Sequence, residues 1–287
     1  MKIAVSSYSF NKMIESGEIT EFDTISLAKE IGFDGIEFVD FYRPQDEDLI
    51  EYARKLREEA DRVGIPVVNY CIGANFVRVG EDFDAEVERV KAHVDAAEIL
   101  GAKFMRQDAV GGSLGTGRFR TFNGSLETIA KGCRIVTEYA EKKGIRTMVE
   151  NHGFICQDPD RIEALADKVN HKNFGVLADM GNFLCADCEP AYSFGKLRES
   201  IIFVHAKDFI VKNGEETDPG KGFFRSRGGN FLRGTIIGHG NVPVKKCIET
   251  LKNAEYDGWI TIEFEGMEPN REALEIGLEN LRRYIGM

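Results

Sequence analysis

A short apolar run, a polar loop and a segment with helical spacing follow one another eight times along the chain. The runs are KIAVSSYSF, DGIEFV, IPVVNYCIG, AKFMRQ, IRTMVEN, NFGVLADM, IIFVHAKD and WITIEF. Between them, Leu49, Ala53, Leu56, Ala60 and Val63 alternate steps of four and three, as do Leu126, Ile129, Cys133, Val136 and Ala140. Leu274, Leu278, Leu281 and Ile285 repeat that spacing near the end. Gly32, Gly64, Gly101 and Gly144 each stand just before a strand, where a left-handed residue stops the preceding helix. Strand–helix alternation with short returns calls for parallel strands and right-handed crossovers, and eight such units close into a (β/α)8 barrel. The 287 residues are enough, since such a barrel takes about 250. An open doubly wound sheet is the alternative. Its dinucleotide-binding form asks for a glycine-rich first turn, and SSYSFNKMIESGE is not one. With no linker in sight, residues 1–287 are expected to form a single domain.

Four of the runs finish in metal-capable side chains: Glu150 in TMVENHG, Asp179 in VLADMGN, His205 in FVHAKD and Glu263 in ITIEFEG. Strand alternation predicts where they point. Ile260, Ile262 and Phe264 share one face and should meet the surrounding helices, which turns Trp259, Thr261 and Glu263 into the barrel. The same parity sends Val149, Ala178 and Val204 outward and Glu150, Asp179 and His205 inward. Three carboxylates that close together do not all stay ionised without a cation. Two Glu, one Asp and one His make a mixed oxygen and nitrogen set suited to Mn²⁺, Mg²⁺ or Co²⁺, with Zn²⁺ possible. A cation there would hold vicinal sugar oxygens and stabilise an enediolate. Glu150 and Glu263, from different sides of the ring, would serve as base and acid.

The net charge of −11 argues against nucleic acid as the main partner. No long apolar run points to a membrane, and MKIAVSSYSF does not read as a signal peptide, so a cytoplasmic protein is expected. The six cysteines are dispersed as reduced thiols. Cys185 and Cys188 have C-x-x-C spacing, but no second half of a zinc site accompanies them. Residues 209–242 are polar and glycine-rich, and they follow a strand, so a long loop covering substrate at the C-terminal face is expected.

The ordered strand ends VENHG, LADMGN, VHAKD and ITIEFEG, with GFDGIEF near the start, resemble the sugar phosphate isomerase/epimerase family. This family lies within the xylose-isomerase-like TIM barrel superfamily, with ketose 3-epimerases, inosose dehydratases and hydroxypyruvate isomerases. The resemblance covers nearly the whole chain. It implies one divalent metal on Glu150, Asp179, His205 and Glu263, with both glutamates doubling as acid and base. It also implies a sugar or polyol-derived ketone as substrate and a homo-oligomer, dimer or tetramer. In ketose 3-epimerases a substrate-contacting His stands three residues after the metal-binding Asp; here Asn182 does. GHGN, with His239, replaces an acidic G-x-G segment.

Other inward candidates are Glu37 for a substrate hydroxyl, with an ion pair as the alternative, His152 for the pocket or a structural hydrogen bond, and Lys207 for substrate contact or a nearby carboxylate. Glu265 shares the parity of Glu263 and is the ligand if the register is off by two. Arg225, Arg227 and Arg233 offer a phosphate clamp, solvated loop charges or subunit contacts. His93 and His171 are expected at the surface. The expected function is a metal-dependent sugar isomerase or epimerase. A lyase dehydrating a keto-sugar or keto-cyclitol on the same site, and a non-catalytic sugar-binding barrel, are the alternatives.

Overall fold

The computed structural model describes residues 1–77, 80–111 and 121–286. Its strands are β1 (Lys2–Ser6), β2 (Gly35–Val39), β3 (Val67–Ile72), β4 (Phe104–Gln107), β5 (Arg146–Glu150), β6 (Phe174–Asp179), β7 (Ile201–Ala206), β8 (Asp208–Lys212), β9 (Phe224–Arg225), β10 (Phe231–Thr235) and β11 (Trp259–Ile262). Eight of them, one from each apolar run, close into a parallel barrel in the order β1-β11-β7-β6-β5-β4-β3-β2. The helices outside are α1 (Asn11–Glu15), α2 (Asp23–Ile31), α3 (Leu49–Val63), α4 (Glu81–Leu100), α5 (Phe122–Glu141), α6 (Pro159–Val169), α7 (Asn182–Cys185), α8 (Pro190–Leu197), α9 (Val244–Asn253) and α10 (Asn270–Ile285). Gly32, Gly64 and Gly101 cap α2, α3 and α4 with positive φ, as their sequence positions predict. Gly144 takes the same conformation just beyond α5.

Alternation sorts the strand side chains into two layers. Val149, Ala178, Val204, Ile260 and Ile262 pack outward into the large core shared with the helices. Ala4, Val68, Cys71, Met148, Leu177 and Phe203 fill the barrel axis, with Trp259 beside them. Trp259 fits because β2 begins with glycine: a Cβ on Gly35 would lie 2.5 Å from Val68 and 3.1 Å from the indole. Above this apolar plug the inward positions turn polar. Glu37, Asn69, Arg106, Glu150, Asp179, His205 and Glu263 are all buried there.

Within the stretch expected as a loop, 209–242, lie most of β8 and all of β9 and β10. β8 starts two residues after β7 and pairs antiparallel with β10, which pairs with β9. The sheet has its own small core of Cys185, Phe209 and Leu232. Cys185 is therefore a packing residue, and all six cysteines are free. His93 and His171 also depart from expectation. The His93 ring hydrogen-bonds the Tyr70 hydroxyl at 2.9 Å, and burial pushes its pKa down to about 4. His171 is mostly covered, with Nδ1 accepting from the Asn173 N–H. Among the described residues no helix is long and apolar enough to cross a membrane.

The return of the insertion hangs on one aspartate. Asp208 accepts from the backbone N–H groups of Phe209, Gly238, Gly240 and Val242 at 2.8–3.0 Å. Its own exposure is 1%. Asp208→Ala strips these donors of a charged acceptor, and water reaches only the outer ones. We expect a loss of about 2–3 kcal/mol in urea denaturation at unchanged slope. A loss below about 0.5 kcal/mol refutes that role for the carboxylate.

Candidate metal centre

Glu150 and Asp179 are the last residues of β5 and β6, His205 the penultimate residue of β7, and Glu263 follows β11 directly. Parallel strands bring their C-terminal ends to one rim, so four residues far apart in sequence meet there. One donor atom from each lies within 4.8 Å of every other. Glu263, not Glu265, is the member from β11.

Fixed charges surround this cluster. Arg106, inward on β4, binds Glu150 Oε2 through Nε at 2.5 Å and also through Nη2, and reaches Asp108 at 3.3 Å. Asn182 Nδ2 donates to Glu150 Oε1 at 2.9 Å, and its backbone N–H donates to Asp179 Oδ1 at 2.7 Å. Lys207 Nζ lies 2.5 Å from Glu263, 3.5 Å from Asp179 and 3.6 Å from Glu265. Asn151 holds the Asp179 backbone from both sides.

The ionisation states follow. Burial would raise Glu150, yet Arg106 and His205 hold it well below the usual carboxylate range. Burial acts the same way on Glu263, and Lys207 with His205 overcomes it. Asp179 is different: burial, with Glu150 and Glu263 adding to it, outweighs Lys207 and pushes its pKa up to about 6. Burial would lower His205, but Glu37 and Glu263 raise it well above its ordinary value.

Two buried atoms in the cluster lack any hydrogen-bond partner: His205 Nδ1 and Asp179 Oδ2. Nδ1 lies 3.6 Å from Glu150 Oε1, 3.7 Å from Glu263 Oε2 and 3.9 Å from Asp179 Oδ2. Buried polar atoms are costly unless something satisfies them. A divalent cation would satisfy both, and three carboxylates with one imidazole suit Mn²⁺, Mg²⁺ or Co²⁺. The donor set fits a metal.

Beside the cluster opens a cleft of about 360 Å³, lined by Tyr8, His152, Phe154, Gln157, Asn182, Lys207, Phe224 and Glu265 among others. His152, Asn182 and Lys207 are thus among the residues that line the cleft. His152 Nδ1 pairs with Asp108 at 3.0 Å, and 45% of its side chain is exposed. Glu37 is not among the lining residues; it is fully buried on His205 and Asn69. Arg227 is not there either. Its guanidinium binds Asp158 at 2.9 Å and the Phe154 carbonyl, pinning the insertion to the loop after β5. Arg225 covers the Phe231 ring and Arg233 pairs with Glu268. His239 is exposed in a turn.

Sequence reasoning missed Arg106, Asp108 and Tyr8. The first two had a legible signal: inward parity on AKFMRQD, where a charge needs a buried partner. Tyr8 had none, because it lies in a short 3-10 turn after β1.

A (β/α)8 barrel with a Glu–Asp–His–Glu cluster under a cleft on its C-terminal rim defines a class of metal-competent barrels. Residues 25–284 match the family described as xylose isomerase-like TIM barrel, and the chain belongs to that family. Among curated relatives, an inosose dehydratase of Lactiplantibacillus plantarum is 25% identical over 258 residues, 88% of this chain and 84% of that one. An inosose dehydratase of Bacillus cereus is 29% identical over 147 residues, so the match spans about half of each chain, 48% and 47%. Among solved structures, an L-ribulose 3-epimerase superposes with a TM-score of 0.75 at 14% identity, covering 99% of this chain and 94% of its own. A probable 3-DHS dehydratase from Bacillus anthracis gives 0.71 at 17% identity, covering 98% of both. At such identities the structural likeness establishes the fold. Epimerases and dehydratases share it.

Proposed function

We propose that this protein is a divalent-metal-dependent isomerase or epimerase that moves a proton on a small polyhydroxy ketone, a sugar or a polyol-derived ketone. The observation that carries the reading is the pair of ionised glutamates, Glu150 and Glu263, flanking the orphaned His205 Nδ1 and Asp179 Oδ2 beside the cleft. A cation held by Glu150, Asp179, His205 and Glu263 would supply Lewis acidity toward the substrate carbonyl. The glutamates do the proton work. Arg106 and Lys207 hold them below the usual carboxylate range in a buried site, so both stand deprotonated at neutral pH, the form that takes a proton. They arrive from β5 and β11, so one takes the proton and the other returns it. Asn182, Lys207, Glu265 and Tyr8 offer hydrogen bonds to substrate hydroxyls, and Asn182 does so without titrating.

A second reading, dehydration of a keto-sugar or keto-cyclitol, is favoured by the Asp108–His152 pair. Asp108 fixes the imidazole through Nδ1 and leaves Nε2 for the cleft. After a glutamate removes the proton next to the carbonyl, the imidazolium form of His152, which Asp108 favours, can give its Nε2 proton to the hydroxyl on the following carbon. Water leaves and a carbon–carbon double bond forms, conjugated with the ketone.

One experiment addresses both. Purified protein with Mn²⁺ is incubated with ketoses and keto-cyclitols in D₂O. Deuterium entering the carbon next to the carbonyl without loss of water is the expected result. A conjugated ketone absorbing in the ultraviolet selects the dehydratase. No exchange on any compound, with metal bound, overturns both in favour of a sugar-binding barrel. The ligand set has its own test: Glu150→Gln, Asp179→Asn, His205→Gln and Glu263→Gln should each lower the metal content of purified protein. Full content in all four refutes the assignment.

A further inference from the structure

We propose that Glu37 is a positioning residue for the metal centre: its carboxylate holds the Nε2 edge of His205, so that Nδ1 faces the carboxylate cluster and a cation taking Nδ1 leaves the tautomer with hydrogen on Nε2. The proposal rests on the metal-binding reading above and concerns a residue outside the four ligands.

The geometry begins with β2. Glu37 is paired with Ser6 of β1 and Asn69 of β3, and the register with β3 shifts between Ile36 and Glu37. Its inward side chain crosses the axis to a histidine 168 residues away, with His205 Nε2 3.0 Å from Glu37. Asn69 Nδ2 donates to the same carboxylate at 2.7 Å. Both Glu37 and His205 are 0% exposed.

A carboxylate oxygen at 3.0 Å accepts the hydrogen of Nε2, so Nε2 keeps it and Nδ1 is the nitrogen that a cation would take. That nitrogen has no hydrogen-bond partner and faces all three carboxylates of the cluster. The other group near Nε2 is Cys71, which takes a hydrogen bond from Asn69 at 3.2 Å. Burial pushes the Cys71 thiol up, so it stays neutral and supplies no competing charge. A carboxylate placed so deep is costly unless it is paired and hydrogen-bonded. Its position behind the imidazole matches what ligand histidines use to fix orientation and raise basicity.

The test compares wild type with Glu37→Gln and Glu37→Asp by titrating Co²⁺ into full-length, metal-free protein, following heat and visible absorption. Glu37→Gln keeps the size and an acceptor but removes the charge. Its Co²⁺ affinity should fall by about 10–100-fold at one ion per chain, with an altered absorption spectrum and little change in the melting point of the metal-free protein. Glu37→Asp should recover part of that loss. Affinity within twofold of wild type overturns the proposal. Two Co²⁺ ions per wild-type chain with one lost in Glu37→Gln also overturns it, making Glu37, Cys71 and His205 a ligand set of their own. Should Glu37→Gln not fold, nitrogen shifts of the histidines in Zn²⁺-loaded wild type decide: Nδ1–H on His205 refutes the tautomer. His205→Gln separates the two failures, since undiminished Co²⁺ binding there sinks the metal reading itself.

Discussion

Glutamine in place of either Glu150 or Glu263 should slow proton exchange on the substrate by about 10²–10⁴-fold, the usual contribution of one positioned acid or base. The measurement is deuterium incorporation at saturating Mn²⁺, so that weakened binding of the cation does not masquerade as lost chemistry. The amide keeps an oxygen donor and the side-chain length; it removes the ability to take a proton. With two opposed bases the losses are selective. The variant lacking the base on one face should still exchange the epimer whose hydrogen faces the remaining glutamate. Equal loss for both epimers in both variants would mean that the carboxylates are ligands only. Simple additivity in the double variant is not expected, because removal and return of the proton are successive parts of one event. Lys207 and Arg106 make the experiment clean, since each glutamate is held ionised by a different cation.

Much of this site could be read from period-two alternation alone. Trp259, Thr261 and Glu263 against Ile260 and Ile262 is enough to aim one ligand, and the glycine stops of α2, α3 and α4 keep the count of units. What alternation cannot supply is which inward residues touch across the axis. Glu37 and His205 sit on β2 and β7, two strands that are not neighbours, and barrel closure alone brings them together. Alternation offers Glu37 to a substrate hydroxyl or to an ion pair, and only closure sets it behind the imidazole. The contact of Arg227 is hidden from the sequence for a related reason. In a glycine-rich stretch its partner, Asp158, belongs to another loop, and no local spacing records that contact. The strands of the insertion were missed because DFIVK and FLRGT are short and bounded by polar turns. Their pairing depends on Asp208 gathering the chain 30 residues later.

Removing Arg106 should damage the fold as much as the chemistry. Its guanidinium is buried between Glu150 and Asp108 and donates to the Ile72 carbonyl at 3.2 Å. Arg106→Ala leaves both acids beneath the cleft without that charge, and breaking a buried pair from one side costs about 3–5 kcal/mol. The pH dependence gives the cause away. Glu150 is held below its ordinary value of 4.5, so the stability it contributes is present above that pH and is lost as the pH falls through its folded value. Without Arg106 the strongest charge opposing burial is gone, only His205 and His152 still hold Glu150 down, and its folded value rises. The gap between wild type and variant should therefore be widest at neutral pH and close as the solution is acidified below 4.5. Urea denaturation of metal-free protein across that range measures it. A gap that does not change with pH would mean that Arg106 matters for packing and not for the charge it places beside Glu150.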